Sequence, residues 1–148
     1  MRLPFVEENT KARQRLEVLA ARLTEEDLKR ATPFGWTVAA LLAHLAFMDQ
    51  RVLVLLRRWQ TQGFNPSPLE ETSINDALKP IAHALAPRTA LELCVSSARA
   101  VDAAVAEISP EFYAQIQEQI AATGTWCRFN RALHRNDHLN DIETLLKY

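Results

Sequence analysis

Residues 37–56 read Thr37-Val38-Ala39-Ala40-Leu41-Leu42-Ala43-His44-Leu45-Ala46-Phe47-Met48-Asp49-Gln50-Arg51-Val52-Leu53-Val54-Leu55-Leu56. At about 100° per residue, Val38, Leu41, Leu42, Leu45, Met48, Val52, Leu55 and Leu56 fall on one broad apolar arc, which marks a long helix buried along one side. Thr37 is placed to accept from the free amides of the first turn, and Gly63 with Pro66 and Pro68 ends the helix after about Gln60. His44 lies at the edge of the arc and Asp49 near its middle. A carboxylate there is costly to bury unless it is paired, hydrogen-bonded or near a metal.

Outward from this segment the chain continues to read as helix. Phe5 to Leu23 forms a first helix, and Thr24 followed by Glu25, Glu26 and Asp27 caps a short second piece to Arg30. Pro33, Phe34 and Gly35 then interrupt. On the other side, the prolines and serine in residues 61–72 predict a long loop, placed to cover a pocket. Ser73 with Asp76 opens a shorter helix that Pro80 must bend or divide. Thr89 with Glu92 matches a capping box and starts a helix to Ile108; Ser109-Pro110 starts another, to about Ala122. Thr123 and Gly124 break the chain, and Thr125 opens the last helix, to about Leu146. Three glycines and no alternating β-branched run leave strands little support. Four long helices with short connectors predict an all-α four-helix bundle, a single domain over residues 1–148.

The composition narrows the function classes. With 48% hydrophobic and 24% charged residues, the 148-residue chain has the make-up of an ordinary globular domain. Its formal net charge is -1, and no basic stripe gathers the phosphate contacts that nucleic-acid binding needs. The start, Met1 to Glu8, has no apolar run of signal-peptide length, and no segment is expected to span a membrane. A cytoplasmic protein is therefore expected, with its two cysteines, Cys94 and Cys127, remaining thiols.

Histidines carry the chemistry. In the expected last helix, Trp126, Phe129 and Leu133 mark the core side, and Cys127, Asn130, His134, His138 and Asp141 form a polar stripe beside them. Side chains four apart are neighbours on a helix, so His134 and His138 can reach one ion. If the helix carrying His44 meets them, three imidazoles converge and leave coordination positions open, as a catalytic site requires. Each residue also has a plainer reading. His44 alone is a hydrogen-bonded rim residue, and His134 with His138 an exposed face beside Arg135 and Asp137. Asp49 reads as a carboxylate that supports the site by orienting an imidazole or holding a backbone group or an arginine; it becomes a general base only within reach of a metal-bound water. Cys127 could in principle reach the ion, or be a small buried thiol. His83 has no counterpart in this pattern, while Trp36, Trp59 and Trp126 read as core or rim aromatics, two of them flanking the proposed pocket.

The segment Gly35-Trp36-Thr37-Val38-Ala39-Ala40-Leu41-Leu42-Ala43-His44-Leu45, with Asp49 five residues after the histidine, resembles the DinB superfamily. Members carry such a Trp-Ser/Thr segment ending in His-Leu early in the chain and a His-x-x-x-His segment in the final helix; here the latter is Leu133-His134-Arg135-Asn136-Asp137-His138-Leu139. The resemblance covers nearly the whole chain. It implies an antiparallel bundle of up-down-down-up type, often dimeric, with a divalent metal held by His44, His134 and His138. Zinc or nickel is the usual expectation, and imidazole donors alone do not choose between them.

The resemblance favours a metal-dependent thiol S-transferase in which a low-molecular-weight thiol attacks a small electrophilic substrate, because characterised branches use bacillithiol, mycothiol or glutathione. Two alternatives stay open: a metal-dependent hydrolase acting on an amide or ester, and a non-enzymatic, dimeric binding or stress module with a vestigial metal site. A homodimer face would draw on Phe47, Leu53 and Val54; no nucleic acid and no membrane partner is expected.

Overall fold

Thr37 accepts a hydrogen bond from the amide of Ala40 at 3.1 Å and thereby opens the long helix. In the computed structural model, which describes residues 3–148, that helix is one of seven; Met1 and Arg2, where the leader reading began, lie outside the described residues. The helices are α1 (Phe5–Arg22), α2 (Glu25–Lys29), α3 (Val38–Gln62), α4 (Glu71–Ala84), α5 (Pro87–Ala106), α6 (Pro110–Thr123) and α7 (Ala132–Leu146). No strand occurs among the described residues, only an isolated bridge between Ala31 and Thr37.

Short-range chemistry sets most boundaries. Thr24 and Asp27 form a reciprocal capping box on α2, and Ser109 accepts from Phe112 at the start of α6, with Pro110 in its first turn. Gly35 takes a φ of +84°, which lets the turn before α3 close through the amide of Thr32 on the carbonyl of Trp36 at 2.8 Å. Three starts differ from the sequence expectation. Glu70, whose carboxylate accepts from Ser73 at 3.0 Å, caps α4 three residues before the expected cap and shortens the loop to residues 63–70. Pro87 in the first turn starts α5, which leaves Thr89 and Glu92 inside the helix. Pro80 lies inside α4 without dividing it.

The largest difference is at α7. Residues 125–131 are not helical, because Thr125 is engaged elsewhere: its hydroxyl accepts from the amide of Ser67 at 3.1 Å and stands 2.8 Å from that of Thr123. Asn9 of α1 starts the helix instead. Its side-chain oxygen accepts from the amides of Arg131 and Ala132 at 2.7 and 3.0 Å, and its amide donates to the carbonyl of Phe129 at 2.9 Å. Trp126, Cys127, Phe129 and Asn130 therefore sit on an irregular segment rather than on a helical stripe. Leu133, expected on the core side, is 56% exposed.

The four long helices close a ring: α3 lies against α5, α5 against α1, α1 against α7 and α7 against α3. The arc of α3 is buried throughout, and Leu53, expected on a free flank, is buried as well, while Phe47 and Val54 remain exposed. By length and composition α3 is long and apolar enough to cross a membrane, yet 78% of that window is buried among its own neighbours.

Asn9→Ala removes the acceptor shared by two buried amides and a donor to a third backbone group. It is expected to lower stability by about 2–4 kcal/mol, read from urea unfolding; an unchanged midpoint would show that α7 starts without this contact.

Candidate metal centre

His44 is carried by the second turn of α3, and His134 and His138 by successive turns of α7. The three rings meet edge to face, with centroids 5.1 Å (His44 to His134), 5.1 Å (His44 to His138) and 4.7 Å (His134 to His138) apart. Nε2 of His134 stands 3.2 Å from Nε2 of His44 and 3.1 Å from that of His138. All three rings thus turn the same nitrogen inward, while each Nδ1 is buried without a hydrogen-bond partner. One proton on an Nε2 can be shared between two rings but leaves the third lone pair facing nitrogen. A cation accepting all three Nε2 lone pairs removes that conflict. Nitrogens bound tetrahedrally at about 2.0–2.1 Å stand roughly 3.3 Å apart, within a few tenths of an ångström of the two spacings here. These three side chains could hold a metal ion, and the all-imidazole donor set suits zinc, nickel, copper or iron alike. Cys127 is not in the cluster.

The surroundings keep the imidazoles neutral. Burial, then the charges of His138 and Arg131, lowers the pKa of His44 to about 4. Burial, with His138 and Arg131 next, takes His134 down to about 3. His138 is also lowered by burial, opposed by Asp141 and Asp137; the Asp141 carboxylate is 3.6 Å from its Nδ1. Unprotonated imidazoles are the form that donates to a metal. The two thiols are the opposite case. Both are free and buried, and burial pushes Cys127 up to about 11 and raises Cys94 further, which favours the thiol over the thiolate.

Asp49 makes no bond to an imidazole. Its Oδ1 accepts from Nε of Arg131 at 2.9 Å and its Oδ2 from Arg135 at 3.3 Å. Of the supporting roles read from the sequence, the structure brings it to arginine. Arg135 also grips Asp102 of α5 through two parallel bonds of 3.0 and 3.1 Å, and Arg13 of α1 reaches the same carboxylate at 3.1 Å. Arg131, Arg135, Asp49 and Asp102 are all buried. The sequence allows Asp49 an arginine but singles out neither Arg131 nor Arg135 as that partner; Arg135 enters only in the plainer reading, beside an exposed face. The available signal was Asp49 in an apolar arc, which demands a cation, and two arginines four residues apart that can supply it. Asn130, on the irregular segment, bonds to Glu8 and to the amide of Ala132 instead of the cluster.

A cleft of about 60 Å³ opens beside His44 and His134, walled by Met48, Leu69, Ile74 and Trp126, with Asn75 and Glu71 as its polar members. Leu69 at the end of the 63–70 loop and Glu71, Ile74 and Asn75 in the first turns of α4 thus line one side of the site. Trp36 stands edge-on to His44 at 5.7 Å and also neighbours His83. His83 stays outside the cluster and accepts from the Thr37 amide at 3.2 Å, adding a cap to α3 from α4. A larger cavity of about 640 Å³, lined by Arg58, Trp59 and the 62–67 segment, contains none of these histidines.

An all-helical chain with three inward histidines defines a class of candidate metalloprotein. The family model of the DinB superfamily matches residues 8–141, and the chain belongs to that superfamily. Searches of curated proteins and of solved structures returned no match.

Asp49→Ala leaves Arg131 buried with its main partner gone and is expected to cost about 3–5 kcal/mol of stability. Because Asp49 does not touch the imidazoles, metal affinity should fall less than in His134→Ala, as titration calorimetry would read; an equal loss would make Asp49 part of the donor set.

Metal-free protein should be acid-sensitive. His44 and His134 have folded values below the ordinary 6.5, so the unfolded chain binds more protons between those values and 6.5. Their contribution to stability is complete above about pH 6.5 and is lost as pH falls towards 4 and 3. The melting temperature of apoprotein should decline over that range, and a His44→Leu/His134→Leu double variant should decline less; parallel curves would exclude these two groups as the source.

Proposed function

We propose that this chain is a metal-dependent enzyme of the thiol S-transferase type, joining a low-molecular-weight thiol to a small electrophilic substrate. The observation that carries this is the meeting of three neutral imidazole Nε2 atoms beside a small, mainly apolar cleft. His44, His134 and His138 would hold zinc or nickel. When bound, such an ion supplies Lewis-acid charge that lowers the pKa of a coordinated thiol or water. Met48, Leu69, Ile74 and Trp126 exclude water from one side of the site and suit an apolar reacting group.

The carboxylates favour thiol chemistry over hydrolysis. Hydrolysis of an amide or ester calls for a positioned base, and both oxygens of Asp49 already accept from guanidinium groups, as do those of Asp102. Among the residues lining the cleft Glu71 is the one carboxylate, and it sits exposed in the first turn of α4. A thiol is acidic enough for the cation alone to favour its ionised form.

The four long helices fit the antiparallel up-down-down-up bundle of the family, and the exposed Phe47 and Val54 on α3 supply a face for a homodimer. A net charge of -1 supports a small-molecule partner rather than nucleic acid, the burial of α3 supports a core helix rather than a membrane span, and a cytoplasmic location goes with this reading.

Elemental analysis of untagged, chelator-free protein tests the site. Near one zinc or nickel per chain is expected in the wild type, and a loss of at least about tenfold in affinity in His44→Ala, His134→Ala and His138→Ala, with helix content retained. Equal occupancy in wild type and variants would refute the donor set. Metal binding without turnover of any thiol–electrophile pair, but with ester or amide cleavage, would move the assignment to a hydrolase.

A further inference from the structure

Arg51 lies seven residues after His44 on α3, so the two side chains share a face of the helix two turns apart, with Met48 of the cleft between them. It is half-buried, and its guanidinium joins two segments that are remote in sequence. One nitrogen donates to the carbonyl of Trp126; another donates to the carbonyl of Ser67 at 2.9 Å and to its hydroxyl at 3.3 Å. Ser67 in turn donates its amide to Thr125 at 3.1 Å, so the two segments are also tied directly to each other. Trp126 is itself a cleft wall, and Leu69, two residues after Ser67, is another. Neither wall belongs to a long helix. The 63–70 segment has no regular structure, and neither do residues 125–131. A chain in that state holds a fixed side-chain position only through specific ties, and the planar fork of arginine can satisfy two backbone carbonyls at once.

We propose that Arg51 is a positioning residue that clamps the Ser67 and Trp126 segments together and so sets the shape and accessibility of the cleft over His44 and His134. It acts through these two walls and hydrogen-bonds to none of the three histidines. The proposal rests on the histidine cluster being the metal site. The helices place the imidazoles and Arg51 places the cleft, so the two properties are separable by mutation.

The test compares zinc-loaded wild type with Arg51→Met and Arg51→Lys. In Arg51→Met, helix content and zinc affinity should stay within about threefold of wild type, because α3 and α7 still present the histidines. Zinc release to a coloured chelator, chymotryptic cleavage beside Phe64 and acrylamide quenching of Trp126 fluorescence should all rise, the first two on the order of tenfold. The quenching increment should vanish in an Arg51→Met/Trp126→Phe double variant. Faster release at unchanged affinity is the signature of an opened cleft; a general loss of stability would weaken affinity as well. Should Arg51→Met fail to fold, Arg51→Lys carries the test: one ammonium holds two carbonyls less well than a fork, so the same three rates should rise by a smaller factor. Wild-type release, cleavage and quenching in both variants, or a fall in zinc affinity that matches the rise in release, would overturn the proposal. Wild type that binds no zinc would overturn the metal site instead, while cleavage and quenching would still show whether Arg51 clamps the two segments.

Discussion

Asp49 of α3 and Asp102 of α5 hold Arg135 of α7 between them, with Arg131 and Arg13 on the same two carboxylates. Four segments of the chain depend on this buried set of charges, and so does the site above it. A buried ion pair contributes little net stability relative to a well-packed apolar core, yet removing one partner is costly, because the other charge is left without solvent or counterion. Its effect here is to fix register. Rotation or sliding of α7 by one residue would withdraw Arg135 from both carboxylates, and His134, its neighbour in sequence, would leave His44. Asn9 adds a second constraint from α1 by starting α7 at Ala132.

Above that layer, the histidines and the cleft are held by different means. The imidazoles come from two regular helices that are packed against each other, which gives donor atoms the precision a metal requires. The cleft walls come largely from irregular segments, which is where recognition can vary without disturbing the core. His44, Met48 and Arg51 occupy one face of α3: an imidazole of the candidate metal site, a wall of the cleft and the proposed clamp. Membership of the DinB superfamily fits the helical architecture and the histidine cluster. It does not by itself name a reaction, since a fold hosts many chemistries and the site must supply the argument.

Several residues show where a sequence can be read and where it cannot. Thr37, Thr24 with Asp27, and Ser109 with Pro110 act within one turn of their own position, and all three helix starts stand as read. Thr125 and Thr89 have the same local character but start no helix. The hydroxyl of Thr125 is taken by Ser67, and Pro87 had already begun the helix ahead of Thr89. Leu133 follows the apolar spacing of a helix extended back to Trp126; once α7 begins at Ala132 its exposure no longer conflicts with any pattern. Cys127 leaves the stripe for the same reason.

The sequence by itself determined the helical class, the long buried helix with its cap, and the pairing of His134 with His138. These follow from periodicity and capping, whose free energies arise among residues a few positions apart. That His44 stands with that pair was implied by the family resemblance alone; their meeting in space, the choice of Arg131 and Arg135 as the cations Asp49 requires, and where α7 begins were decided by the tertiary structure. Each of these depends on a partner supplied from a distant segment, as when Asn9 accepts from the amide of Arg131 across 122 positions of chain. Burial of a charge or an unpaired amide is tolerated only where such a partner arrives, and that meeting is a property of the packed helices rather than of any local stretch.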